Sequence, residues 1–114
     1  MSIKDELVNN FEIEMNRGRM TLAVLSQLFN QQYGYSLLQL LEEKGTPIDA
    51  NTLYPLLRRL EEKGILGSTW DTSEKRPRKY YLISPLGKEV YQELKKIWFR
   101  TFKQMDEILK EDNQ

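Results

Sequence analysis

Apolar positions recur at helical spacing along most of this chain, and the interruptions between them mark its elements. Ile3, Leu7, Val8, Phe11 and Met15 form one stripe, with Asp5, Glu6, Glu12 and Glu14 on the other faces. This predicts an amphipathic N-terminal helix over 1–16 that needs a partner. Arg17, Gly18 and Arg19 read as a break, since glycine's permissive backbone favours a stop there. A second helix is predicted from Met20 to Asn30, burying Leu22, Val24, Leu25, Leu28 and Phe29. Gln31 to Tyr33 reads as a short polar connection. A third helix opens at Gly34 and Tyr35, carries Leu37, Leu38, Leu40 and Leu41 up to Lys44, and is closed by Gly45 and Pro47.

The next helix has the sharpest division of faces. Asp49 is the expected N-cap, with Ile48 before it and Leu53 placed to close a hydrophobic staple. Leu53, Leu56, Leu57 and Leu60 make the buried face. Gly64 ends the helix, and Ile65 falls where a Schellman motif wants an apolar contact with Leu60. Pro55 lies about one turn inside, where it loses a backbone hydrogen bond, so the helix either begins near Asn51 or bends. The opposite face carries Asn51, Tyr54, Pro55 and Arg58, grouped by spacings of three and four. Arginine reads guanine edges, asparagine reads adenine, and tyrosine reaches phosphates. A merely solvated helix face has the same pattern.

Beyond Gly64 the period changes. Leu66 to Trp70 alternates weakly and Tyr80, Tyr81, Leu82 and Ile83 favour a strand, with turn formers from Asp71 to Pro77 between them. The pair predicts a hairpin whose tip and outgoing strand hold Lys75, Arg76, Arg78 and Lys79. Tyr33, Tyr81 and Trp70 read as structural, whereas Tyr35, at a helix N-terminus, suits either packing or a phosphate. Ser84 and Pro85 start the last helix as N-cap and first turn. Leu94, Trp98, Thr101, Met105 and Ile108 then follow a four-three alternation, flanked by Val90, Tyr91, Ile97, Phe102 and Leu109. So wide a seam exceeds what a small domain covers, and a second subunit is expected. The polar tail from Lys110 to Gln114 is expected to fray.

Composition narrows the chemistry. The 114 residues suit one domain. Lys and Arg number 17 against 17 Asp and Glu, so any nucleic-acid footprint must be local. The absence of Cys and His removes thiol nucleophiles, Ser-His-Asp triads and the usual zinc ligand sets. No metal or cofactor is expected, and the scattered carboxylates do not make an enzyme. With no membrane-spanning or signal segment, a cytoplasmic location is expected.

Helix, turn, helix, basic-tipped hairpin and pairing helix together describe a winged helix-turn-helix. The expected fold is mostly α with a small β-hairpin wing, as a single domain over 1–114. Within it the winged helix-turn-helix spans 20–83 and a C-terminal dimerisation helix spans 84–112. From about Arg17 to Gly87 the sequence resembles the PadR family of bacterial transcriptional regulators. The resemblance is carried by Tyr33-Gly34-Tyr35, Thr52-Leu53-Tyr54-Pro55, Arg59-Leu60-Glu61, Gly64, Trp70, Pro77-Arg78-Lys79-Tyr80-Tyr81, Ser84 and Gly87.

The resemblance implies a dimeric repressor on a pseudo-palindromic operator in double-stranded DNA, relieved by a small, often aromatic effector. The DNA-contact set then becomes Tyr35, Asn51, Thr52, Tyr54, Arg58, Lys75, Arg76, Arg78 and Lys79. The single helix after the wing looks like the family's small subgroup, whose C-terminal helices dimerise together with the N-terminal helix. In this chain that implies Leu7 and Phe11 beside Leu94, Trp98, Thr101, Met105 and Ile108. Some members of the subgroup stack a flat apolar ligand on a Trp of the last helix. Trp98 is that candidate, with Phe99 and Phe102 nearby, although a Trp in such a seam also serves as dimer core. The competing function is a winged-helix module that binds protein instead of DNA.

Overall fold

The computed structural model describes residues 2–111. Ser2 caps the first helix by accepting a hydrogen bond from the Asp5 amide, and α1 then runs unbroken from Ile3 to Ser26. The expected break at Gly18 is not there. Glycine costs a helix interior only about 1 kcal/mol relative to alanine, and the apolar stripe passes through position 18 in phase, from Leu7 and Phe11 to Leu22 and Leu25. The helix also stops before Asn30. Leu28 beyond it is fully buried, while Phe29, expected in the core, is partly exposed and meets Tyr91 edge-on at 5.4 Å.

Gln32–Tyr33 is a strand, β1, not a polar connection. It pairs with the outgoing wing strand, Gln32 opposite Tyr81 and Tyr33 opposite Tyr80. Helix α2 (Gly34–Glu43) follows directly, with the Tyr33 amide donating to Ser36 Oγ at 3.1 Å. It ends in a Schellman turn: Gly45 has φ 82°, its amide bonds the Glu42 carbonyl, and the Thr46 amide reaches Leu41. Helix α3 (Ala50–Glu62) ends the same way, with Gly64 at φ 78° and the Ile65 amide on the Leu60 carbonyl at 2.9 Å.

Strands β2 (Leu66–Asp71) and β3 (Arg78–Ile83) pair antiparallel, Leu66 opposite Ile83 and Asp71 opposite Arg78, giving the sheet order β1-β3-β2. Among the described residues the core gathers Val24, Leu25, Leu28, Leu37, Leu41, Leu53, Leu56, Leu57, Leu60, Ile65, Leu66, Tyr81 and Ile83. It is a leucine core under a small sheet. Each leucine so buried contributes roughly 1.5–3 kcal/mol, and only helices held at fixed angles can share them.

Helix α4 (Pro85–Glu111) is fixed to this body at its start. Ser84 Oγ donates to the Gly64 carbonyl at 2.7 Å and accepts from the Gly87 amide at 2.9 Å. Gly87 is buried where a Cβ would overlap the Ile65 carbonyl oxygen and lie 2.7 Å from Ile83 Cγ1. Further along, α4 leaves the body. The radius of gyration, 16.9 Å, exceeds the roughly 13 Å of a compact chain this long, because the first half of α1 and the second half of α4 extend outward. Their apolar residues Leu7, Phe11, Phe102, Met105 and Ile108 are exposed in the single chain. The sequence-based end of α4 at 112 lies outside the described residues, as does the tail beyond Glu111, while Lys110 and Glu111, expected to fray, are in the helix.

Candidate nucleic-acid interface

Burial of Leu53, Leu56, Leu57 and Leu60 fixes the rotation of α3 about its axis, and with it the outer face. Asp49 accepts from the Asn51 amide through Oδ1, and its carbonyl accepts from the Thr52 and Leu53 amides, each at 2.9 Å. The helix therefore begins at Ala50 and runs through Pro55. Pro55 has no N–H to give the Asn51 carbonyl, so this one bond is missing from the ladder of an exposed helix face.

Asn51, Thr52, Pro55 and Arg58 are exposed along this helix. Arg58 has no ion-pair partner among the described residues, which leaves its guanidinium available. Tyr54 is held more firmly. Its ring lies on Gly34, where an added Cβ would sit 2.6 Å from the ring carbon Cζ. The glycine at the start of α2 thus makes room for the tyrosine of α3. Tyr35, next along α2, is 58% exposed, so the N-terminus of α2 and the outer face of α3 share one surface.

In the wing, Asp71 accepts from both the amide and hydroxyl of Ser73, at 2.9 and 2.6 Å. These bonds hold its carboxyl below the usual range and start the turn at the tip. Lys75 and Arg76 stand exposed on that tip, with no ion pair to another described residue. The other two basic groups are engaged. The Arg78 guanidinium lies over the Tyr33 ring at 4.6 Å, and its hydrogen bond to Tyr80 favours the charged form.

Lys79 Nζ donates to Glu61 Oε1 at 2.9 Å, and the Glu61 carboxylate accepts a second hydrogen bond from Ser68 Oγ. That bond and the lysine lower the Glu61 pKa, and the glutamate raises that of Lys79. Periodicity could not reveal Glu61, because its partners lie 7 and 18 residues away. Trp70 corrects another expectation. It points to the same side of the sheet as Tyr81 but two residues beyond Ser68 toward the tip, and it is 64% exposed instead of packed.

Two helices joined by a glycine turn, with a wing beside the second, present one surface for a double helix. The family model of PadR-like transcriptional regulators matches residues 21–93, from the second half of α1 through the wing into α4. The chain belongs to that family. PadR-like proteins are DNA-binding regulators of transcription and not enzymes.

A PadR family regulator from Eggerthella lenta is 42% identical and covers 93% of this chain and 95% of its own, with a TM-score of 0.85. A PadR-like transcription factor from Bacteroides fragilis is 29% identical, covers 87% and 98%, and has a TM-score of 0.74. A transcriptional regulator of Mycobacterium tuberculosis is 33% identical over 81 residues, 70% of this chain and 76% of that protein. The PadR fold thus extends here to nearly the whole chain, including the two projecting helices.

Proposed function

We propose that this PadR-like chain is a homodimeric repressor that binds a pseudo-palindromic operator in the cytoplasm and is released by a small aromatic or apolar effector. The observation that carries the reading is the outer face of α3. The four buried leucines turn Asn51, Tyr54 and Arg58 outward, beside a wing tip bearing Lys75 and Arg76. Base preference then comes from Asn51 and Arg58. Tyr35, Thr52 and the tip supply phosphate contacts, which dominate affinity without reading sequence.

Dimerisation is supported by the apolar faces left open on the two projecting helices. Leu7 and Phe11 on α1 match Trp98, Met105 and Ile108 on α4, with Leu94 and Thr101 continuing the α4 seam. The effector reading rests on a cleft of about 390 Å³ between the same helices, lined by Met15, Leu22, Leu94, Ile97, Trp98 and Thr101. Its size and apolar lining suit a small flat molecule. Phe99 instead lines a neighbouring hollow with Trp98 and Tyr91, and Phe102 lines neither. This favours Trp98 as the platform.

Fluorescence anisotropy tests the core of the reading. Full-length protein is titrated into a duplex selected by it from a randomised pool, and into a scrambled duplex, between about 50 and 200 mM salt. The expected result is tight binding to the selected duplex, with two protomers per site. Equal affinity for both duplexes would contradict sequence reading, and no binding to either would favour a protein-binding module.

A further inference from the structure

Glu61 occupies the last turn of α3 and is half-buried, with 31% of its side chain exposed. Its two carboxylate oxygens take donors from two different strands, Ser68 from β2 and Lys79 from β3. Ser68 sits opposite Tyr81 in the sheet, and the Lys79 ammonium lies 5.3 Å from the Tyr81 ring. One carboxylate therefore joins the recognition helix to both wing strands.

An isolated surface ion pair contributes little, because two long side chains must be ordered and solvent screens the attraction. This one differs in geometry. The carboxylate is shared by two donors, and the lysine ammonium also lies over an aromatic ring. We propose that Glu61 is a positioning residue for DNA binding, a strut that sets the angle between wing and recognition helix, and that Lys79 serves this strut instead of a phosphate. The proposal rests on the reading that α3 and the wing tip face DNA.

The lever arm shows why the angle matters. Arg76 lies three residues from Lys79 toward the tip, a reach of at most about 10 Å. A swing of roughly 10° at the strut displaces the tip by nearly 2 Å, enough to lose a hydrogen bond to a phosphate. The electrostatic expectation runs the other way. Removing an acid from a DNA-facing surface and freeing a lysine should strengthen binding and steepen its salt dependence by about one counterion. The sign of the effect separates the two.

The test uses the full-length protein on its selected and scrambled duplexes. Glu61→Gln should weaken the selected duplex roughly tenfold, the lower end for a hydrogen bond to a charged group. Scrambled DNA should be bound equally well or better. Lys79→Met should give the same selective loss without lowering the salt slope. The exchanged pair Glu61→Lys with Lys79→Glu should recover most of the affinity. Glu61→Gln binding the selected duplex as tightly as the wild type would overturn the proposal. So would a Lys79→Met that loses both duplexes equally and lowers the slope by about one.

A measurement on the free protein keeps this failure distinct from failure of the DNA reading. Hydrogen exchange over Ser68–Asp71 and Arg78–Tyr80 should accelerate in Glu61→Gln, and unchanged protection there would overturn the strut whatever the DNA results.

Discussion

Truncating Met105 tests the proposed dimer most cleanly, because this side chain sits far along α4 and contributes nothing to the core of its own chain. In the single chain Met105 is 50% exposed. Full burial of a methionine contributes about 1.5–3 kcal/mol, so covering the open half is worth on the order of 1 kcal/mol per copy. A two-fold interface uses every residue twice, which makes the loss in Met105→Ala about 2 kcal/mol per dimer, roughly 30-fold in Kd. Alanine keeps the helix intact, so the change reports packing and not unwinding.

Met105→Lys should act more severely, since it places two ammonium groups in an apolar seam. Dimers should then be undetectable at low micromolar concentration. Sedimentation equilibrium over a dilution series measures both variants, with Lys103→Ala, on the opposite side of α4, as control. A dimer Kd unchanged in Met105→Ala and Met105→Lys would refute the seam and put the interface elsewhere.

Three further outcomes follow from the geometry. Lys75→Ala should weaken selected and scrambled duplexes alike and lower the salt slope by about one, as anisotropy at several salt concentrations would show. Gly87→Ala pushes a methyl group into the Ile65 carbonyl and should lower stability by about 2 kcal/mol or more, roughly 8 °C in Tm by circular dichroism. Acid should dissolve the Glu61 strut. Its folded pKa is depressed by Ser68 and Lys79, so its stabilisation is present above the unfolded carboxylate range, near pH 4.3, and is lost as pH falls through the folded value. The stability gap between wild type and Glu61→Gln, measured by denaturant melts, should therefore be present at pH 7, begin to narrow only as pH falls into the unfolded carboxylate range, and close below the depressed folded value.

Local signals in the sequence were enough to place most of the helix ends. Asp49 caps α3, Gly64 and Ile65 close it in a Schellman turn, and Ser84 with Pro85 starts α4, because each depends on residues only a few positions apart. Contacts made at long range escaped. Gln32 and Tyr33 are a strand only because β3, nearly fifty residues later, offers them a partner. Gly18 looked like a stop, but one glycine costs a helix only about 1 kcal/mol, and the helix continues through it to the buried Val24 and Leu25. The candidate interface divides in the same manner. The outward face of α3 follows from its leucines, whereas the engagement of Lys79 by Glu61 and the exposure of Trp70 depend on how the sheet meets α3.

Arg58 offers the most direct test of the proposed function. Against a series of single base-pair substitutions in the selected duplex, Arg58→Ala should lose about 1–3 kcal/mol of binding and relax preference at one position per half-site. The half-sites should lie roughly 10 base pairs apart, and scrambled DNA should be affected much less. Arg58 is exposed and outside the core, so the variant should melt like the wild type. An equal loss on every sequence, with no position relaxed, would contradict base reading by α3 and make Arg58 a phosphate contact.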